Sequence, residues 1–95
     1  MATMSDTEVK AALGELPGWE LVGGDIVKEY KFADFVAAIA FVDQLADRAE
    51  AANHHPDIDI RWNKVRLALS THSEGGLTGK DFALATEIEA LAAAG

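Results

Sequence analysis

The chain has no cysteine, which excludes disulfides, thiolate catalysis and zinc–thiolate sites together. Proline is scarce as well, with Pro17 and Pro56 the two examples. No apolar run approaches the ~20 residues that a membrane-spanning helix needs. The start, Met1-Ala-Thr-Met4, lacks the basic residues and apolar stretch of a secretory signal, so a soluble cytoplasmic protein is expected. Positive charge is thin. Eight Lys and Arg stand against sixteen Asp and Glu, a formal charge of -8, and the basic residues do not cluster. Such a chain repels phosphate backbones and anionic lipid, so neither nucleic-acid nor membrane binding is expected.

What is present reads as globular. Apolar residues reach 49%, too many for a disordered chain. Ninety-five residues make one domain spanning 1–95, with 1–4 and 93–95 frayed at its ends. A core this small is commonly supplemented by oligomerisation.

Ser5-Asp-Thr-Glu8 has capping-box spacing, opening a short helix with Val9, Ala12 and Leu13 on one side. Gly14 is placed to end it in a left-handed conformation, and Pro17-Gly18 makes a turn. Trp19–Val22 and Ile26–Phe32 flank Gly23-Gly24-Asp25, a connection suited to a hairpin. Asp34 precedes an alanine-rich helix to about Ala52. Phe35, Ile39, Val42 and Ala46 fall at helical spacing as its buried stripe. Phe41 and Leu45 lie off that stripe, so part of this helix is expected to form a subunit contact.

Pro56 cannot continue that helix. Asp57–Trp62 alternates strictly, with Ile58, Ile60 and Trp62 inward. Asn63-Lys64 is the expected tight turn, and Val65, Leu67 and Leu69 mark a second half-buried strand. After a loop at 73–76, Thr78-Gly-Lys-Asp81 is a capping signal for a last helix carrying Leu84, Ile88 and Leu91. The expected class is α+β, in the order α-β-β-α-β-β-α. Its four-stranded antiparallel sheet would carry helices packed on one face.

The three histidines concentrate near the second hairpin. With a turn at Asn63-Lys64, Ile60 faces Leu67, and His55 falls opposite His72, with His54 beside them. Imidazole titrates near neutrality, so three rings at one strand mouth suit general acid–base chemistry. Glu50, four residues before His54, raises a metal site. However, adjacent histidines at a helix end diverge and no second carboxylate is spaced to complete a ligand set, so no metal is expected. Asp81 fits a capping carboxylate in a first helical turn. Lys80, a cation in that same turn, is not explained that way and hints at a role toward a ligand.

Asn53-His-His-Pro56, Trp62-Asn-Lys-Val65, Ser70-Thr-His72, Gly76-Leu-Thr78 and Asp81 together resemble the pterin-4a-carbinolamine dehydratase family. The resemblance runs from about Glu50 to Ile88 and is weaker upstream. It implies the same element order, dimers or tetramers, and loss of water from 4a-hydroxytetrahydropterin to give quinonoid dihydropterin, with no cofactor. It implies that His54 and His72 are the acid–base pair and that His55 mainly places substrate. Glu50, Ile58, Lys80 and Asp81 align near the family's pocket. Ile58 stands where many members have tryptophan, and Lys80 where arginine is frequent, so an aromatic wall and bidentate pairing would be lost. The resemblance also carries a second reading, a non-catalytic binding or assembly protein of the dimerisation-cofactor or Rubisco-assembly kind. Retention of all three histidines favours the enzyme.

Overall fold

The structure, a computed structural model, describes residues 3–94; Met1, Ala2 and Gly95, part of the expected frayed ends, lie outside them. Helix α1 (Asp6–Leu13) leads into strands β1 (Glu20–Val22) and β2 (Asp25–Lys31). Helix α2 (Phe35–Ala52), strands β3 (Asp57–Arg61) and β4 (Lys64–Leu69), a 3-10 turn (His72–Glu74) and helix α3 (Gly79–Ala94) follow. The class is α+β, and the antiparallel strands lie in the order β1-β2-β4-β3. The Met4 amide donates to the Leu77 carbonyl at 2.8 Å, and α3 runs to Ala94.

The capping box of α1 is present, with Ser5 Oγ accepting from the Glu8 amide and the Glu8 carboxylate from the Ser5 amide. Gly14, however, stays right-handed at φ -61°. Further tight bonds, Glu15 to Ala12 and Leu16 to Leu13, carry the turn onward, and the reversal falls on Gly18 at φ +87°. Gly23 and Gly24 take positive φ between paired Val22 and Asp25, the geometry a two-residue hairpin needs.

The second hairpin turns one residue earlier than its sequence suggests. Arg61 pairs with Lys64, Ile60 with Val65 and Ile58 with Leu67, so the turn is Trp62-Asn63. Asn63 is pinned to the end of β2: its Nδ2 donates to the Phe32 carbonyl at 2.9 Å, and the Phe32 amide donates to the Asn63 carbonyl at 2.8 Å. Trp62 therefore takes φ +54° and is 68% exposed, not inward. Ile58 is also exposed, at 40%, because β3 is an edge strand.

Helix α2 is rotated from the expected stripe. Ala38, Phe41, Leu45 and Ala49 are buried, whereas Phe35 and Val36 are 51% and 75% exposed. The sheet decides this: the Phe41 ring lies 4.9 Å from Phe32 and 5.4 Å from Tyr30. Phe41 and Leu45 are thus core residues, packed with Ile26, Val65, Leu67, Leu84 and Ile88, and the apolar surface left over is Phe35 and Val36.

Glu89 of α3 ties the helix to the sheet. Its Oε1 accepts from Trp19 Nε1 at 3.0 Å, Lys28 Nζ at 2.6 Å and the Tyr30 hydroxyl at 2.5 Å. Burial opposes ionisation of Glu89, but these donors outweigh it and hold the carboxyl below its ordinary range.

Candidate active site

Three segments meet where α2 gives way to β3, where β4 ends and where α3 begins. Helix α2 ends because Asn53 adopts a left-handed conformation, φ 49° and ψ 44°; asparagine tolerates that better than most residues. This reversal turns His54 inward, and Pro56 sends the chain into β3. At the far end of β4, Thr71 bridges to Gly76, closing the 3-10 turn that carries His72. Thr78 then caps α3: the Lys80 amide donates to its hydroxyl at 3.3 Å, and the Thr78 amide donates to Asp81 Oδ2 at 3.0 Å.

Asp81 is fully buried and joins these segments. Besides the Thr78 amide, Oδ2 accepts the Thr71 hydroxyl at 2.9 Å. Since the Thr71 proton is used there, the Thr78 hydroxyl donates to Thr71 across 2.8 Å. Oδ1 lies 2.5 Å from Nε2 of His54, itself 9% exposed. With a carboxylate as acceptor, Nε2 carries the proton, and the lone pair of a neutral ring falls on Nδ1. The capping reading of Asp81 is therefore correct but incomplete, because the same carboxylate also orients an imidazole.

His55 is exposed and hydrogen-bonds through Nε2 to Oε2 of Glu50. Glu50 thus pairs with His55, not with His54, since the left-handed Asn53 ends the helical spacing that would have aligned the latter. His72 is exposed, with Ser70 Oγ 3.3 and 3.4 Å from its two ring nitrogens. The direct His55–His72 opposition does not form: extending the observed register places Ser70 opposite His55, and regular pairing stops at Asp57. His54 and His72 are linked instead through Asp81 and Thr71, the residue before His72. Lys80 is exposed at the start of α3, and Ile58 sits across from Leu67 on the edge strand. Among the described residues, no three His, Asp or Glu side chains group as a metal ion requires.

Thr71 and Thr78 are legible in the sequence as a motif residue and a helix cap, but not as members of this hydrogen-bonded constellation. Their signal was faint: each is a polar residue where the neighbouring pattern calls for a buried one.

The comparisons agree with the geometry. The family model described as pterin 4 alpha carbinolamine dehydratase matches residues 2–91. A provisionally named pterin-4-alpha-carbinolamine dehydratase of Acidobacterium capsulatum is 54% identical over 91 residues, covering 96% of this chain and 99% of that protein. A similarly named protein of Roseiflexus sp. (strain RS-1) is 57% identical over 90 residues, covering 94% and 97%. The crystal structure of a transcriptional coactivator/pterin dehydratase from Brucella melitensis superposes with a TM-score of 0.92 at 37% identity, covering 95% of this chain and 98% of that one. A pterin dehydratase-like protein identified as a RuBisCO assembly factor in the alpha-carboxysome superposes less closely, at a TM-score of 0.64 and 25% identity, covering 78% and 86%. The fold is that of a dehydratase-like α+β protein. The chain belongs to the pterin 4 alpha carbinolamine dehydratase family.

Proposed function

We propose that this chain is an active, cytoplasmic dehydratase that converts 4a-hydroxytetrahydropterin to quinonoid dihydropterin and water in tetrahydropterin recycling. The observation that carries this reading is the buried Asp81, which joins the His54-His55 segment to the segment bearing His72. The leaving hydroxyl departs from a carbon flanked by nitrogen. Its oxygen takes up a proton as the C–O bond breaks, and the ring system gives one up, so water leaves and the product is neutral. His54, held in one tautomer by Asp81, and His72, exposed on its short turn, serve as the acid–base pair. His55, steadied by Glu50, places the substrate, with Ile58 and Lys80 at the margins. The histidines exchange protons without a metal or redox cofactor.

A second reading, a non-catalytic binding protein on the same scaffold, is favoured by one observation: Ile58 offers no aromatic wall for a flat pterin. The names borne by two structural neighbours, a transcriptional coactivator and a RuBisCO assembly factor, fit that reading as well. Measuring carbinolamine breakdown separates the two. We expect clear acceleration by the wild type and a loss of about 10²–10⁴-fold in His72→Ala; wild-type rates equal to buffer select the binding protein.

The assembly is a homodimer or homotetramer, and the exposed pair Phe35 and Val36 on α2 supplies the subunit contact.

A further inference from the structure

The solvent face of the sheet carries a concentration of positive charge that the linear sequence does not reveal. On the face away from the helices, Lys31 of β2 pairs with Lys64 of β4, and Lys64 pairs with Arg61 of β3. Directly paired residues of an antiparallel sheet project to the same face, so these three cations form one cross-strand row. All three are exposed. The next row is Glu29, Arg66 and Asp59, which brings four of the eight basic residues of the chain to one corner. Arg61, Lys64 and Arg66 line, with Glu29 and Asp59, a groove of about 380 Å³.

This arrangement is costly to the fold by itself. Like charges directly opposed across strands are destabilising. Arg61 is paired with Asp59 at 3.1 Å, whereas Lys31 and Lys64 have no ion-pair partner among the described residues. The turn of the same hairpin adds two further costs, a bulky residue at positive φ and an indole left in water, both at Trp62. The Trp62 backbone follows from the Asn63–Phe32 bonds, but neither the core nor the Asp81 site requires the cross-strand row of cations.

We infer that the Lys31–Lys64–Arg61 row is a binding site for an oligophosphate anion. Three strands at the usual spacing of about 4.8 Å set the outer cations roughly 10 Å apart. A monophosphate or single carboxylate reaches only part of that row, whereas a chain of two or three phosphates engages all of it. The groove is lined by charged side chains, the cations Arg61, Lys64 and Arg66 set against the carboxylates of Glu29 and Asp59, with Lys31 beyond its rim. Recognition therefore rests on phosphates held along the cationic row, whether inorganic or carried by a nucleotide. The remainder of the acidic surface repels other anions and confines binding to this corner.

The test is a titration of the ¹⁵N-labelled protein with tripolyphosphate, ATP and, at matched ionic strength, sodium chloride. We expect saturable amide shifts confined to Lys31, Arg61 and Lys64 and to the Trp62 turn, with the buried Trp19 indole unmoved. The doubly substituted Lys31→Ala/Lys64→Ala protein, altered only at exposed positions, should bind at least about tenfold more weakly. Equal binding of tripolyphosphate and ATP identifies the phosphate chain as the whole ligand; tighter binding of ATP, with a larger Trp62 indole shift, identifies a nucleotide. Shifts that fail to saturate, that chloride reproduces, or that persist in the double variant overturn the proposal. So does an acidic peptide that binds where tripolyphosphate does not.

Discussion

A buried carboxylate with three hydrogen-bond donors and an exposed imidazole on a short turn should respond very differently to truncation. Asp81→Ala strands the Thr71 hydroxyl, the Thr78 amide and His54 Nε2 inside the protein. An unsatisfied buried polar group costs about 1–3 kcal/mol, so urea denaturation of this variant should give a markedly lower midpoint. His72→Ala removes an exposed ring with weak contacts, and its midpoint should stay within about 0.5 kcal/mol of wild type. Loss of turnover without loss of stability at His72 would distinguish chemistry from scaffolding. Glu89 makes a second residue-scale prediction. Its carboxyl lies below its ordinary value of 4.5 when folded, so the unfolded chain binds the proton more readily. The stabilisation is therefore full above pH 4.5 and is lost as pH falls through the lower folded value. Unfolding free energies measured between pH 6 and 3 should fall more steeply for wild type than for Glu89→Gln; parallel slopes would remove Glu89 from the acid response.

Among the elements, the loop before β1 is held by a contact that only glycine permits. Gly18 sits at φ +87°, and a Cβ built on it meets Lys28 Cε at 2.9 Å. Lys28 Nζ is committed to the Pro17 carbonyl at 2.9 Å and to Glu89. Gly18→Ala should destabilise the protein by about 1–2 kcal/mol, through backbone strain and displacement of the lysine, as a fall in thermal midpoint would show. Helix α2 makes the reverse point. Its alanine-rich sequence has apolar residues around much of its circumference, so periodicity admits more than one buried stripe. Spacing alone places Phe41 at the subunit contact, yet its ring packs at a tilt between Tyr30 and Phe32. A charge at Phe41 would unfold the protein rather than divide an assembly.

For the molecule as a whole, the proposed assembly is tested at Val36, the most exposed of the large apolar side chains among the described residues at 75%. Val36→Glu should shift the protein to smaller species in sedimentation experiments while leaving its circular dichroism unchanged; an unshifted profile would move the contact elsewhere. The net charge of -8 correctly describes the average surface but not its distribution. Residues 31, 61, 64 and 66 are scattered in sequence and adjacent only through strand pairing. Local order also sufficed for the element sequence, the capping box of α1, the glycine hairpin, the Pro56 break and the cap of α3. Each depends on residues within a few positions of one another, where side chain and backbone interact whatever the rest of the chain does. The motif from Asn53 to Asp81 likewise carried the family. Tertiary structure alone decided which side of α2 is buried, which residues form the second turn and which partner each histidine holds. Those outcomes depend on contacts between residues far apart in the chain: Phe32 pins Asn63, Phe32 and Tyr30 select Phe41, and Asp81 reaches back 27 positions to His54. Such contacts leave no periodic trace in the sequence, because their geometry exists only once the sheet has paired.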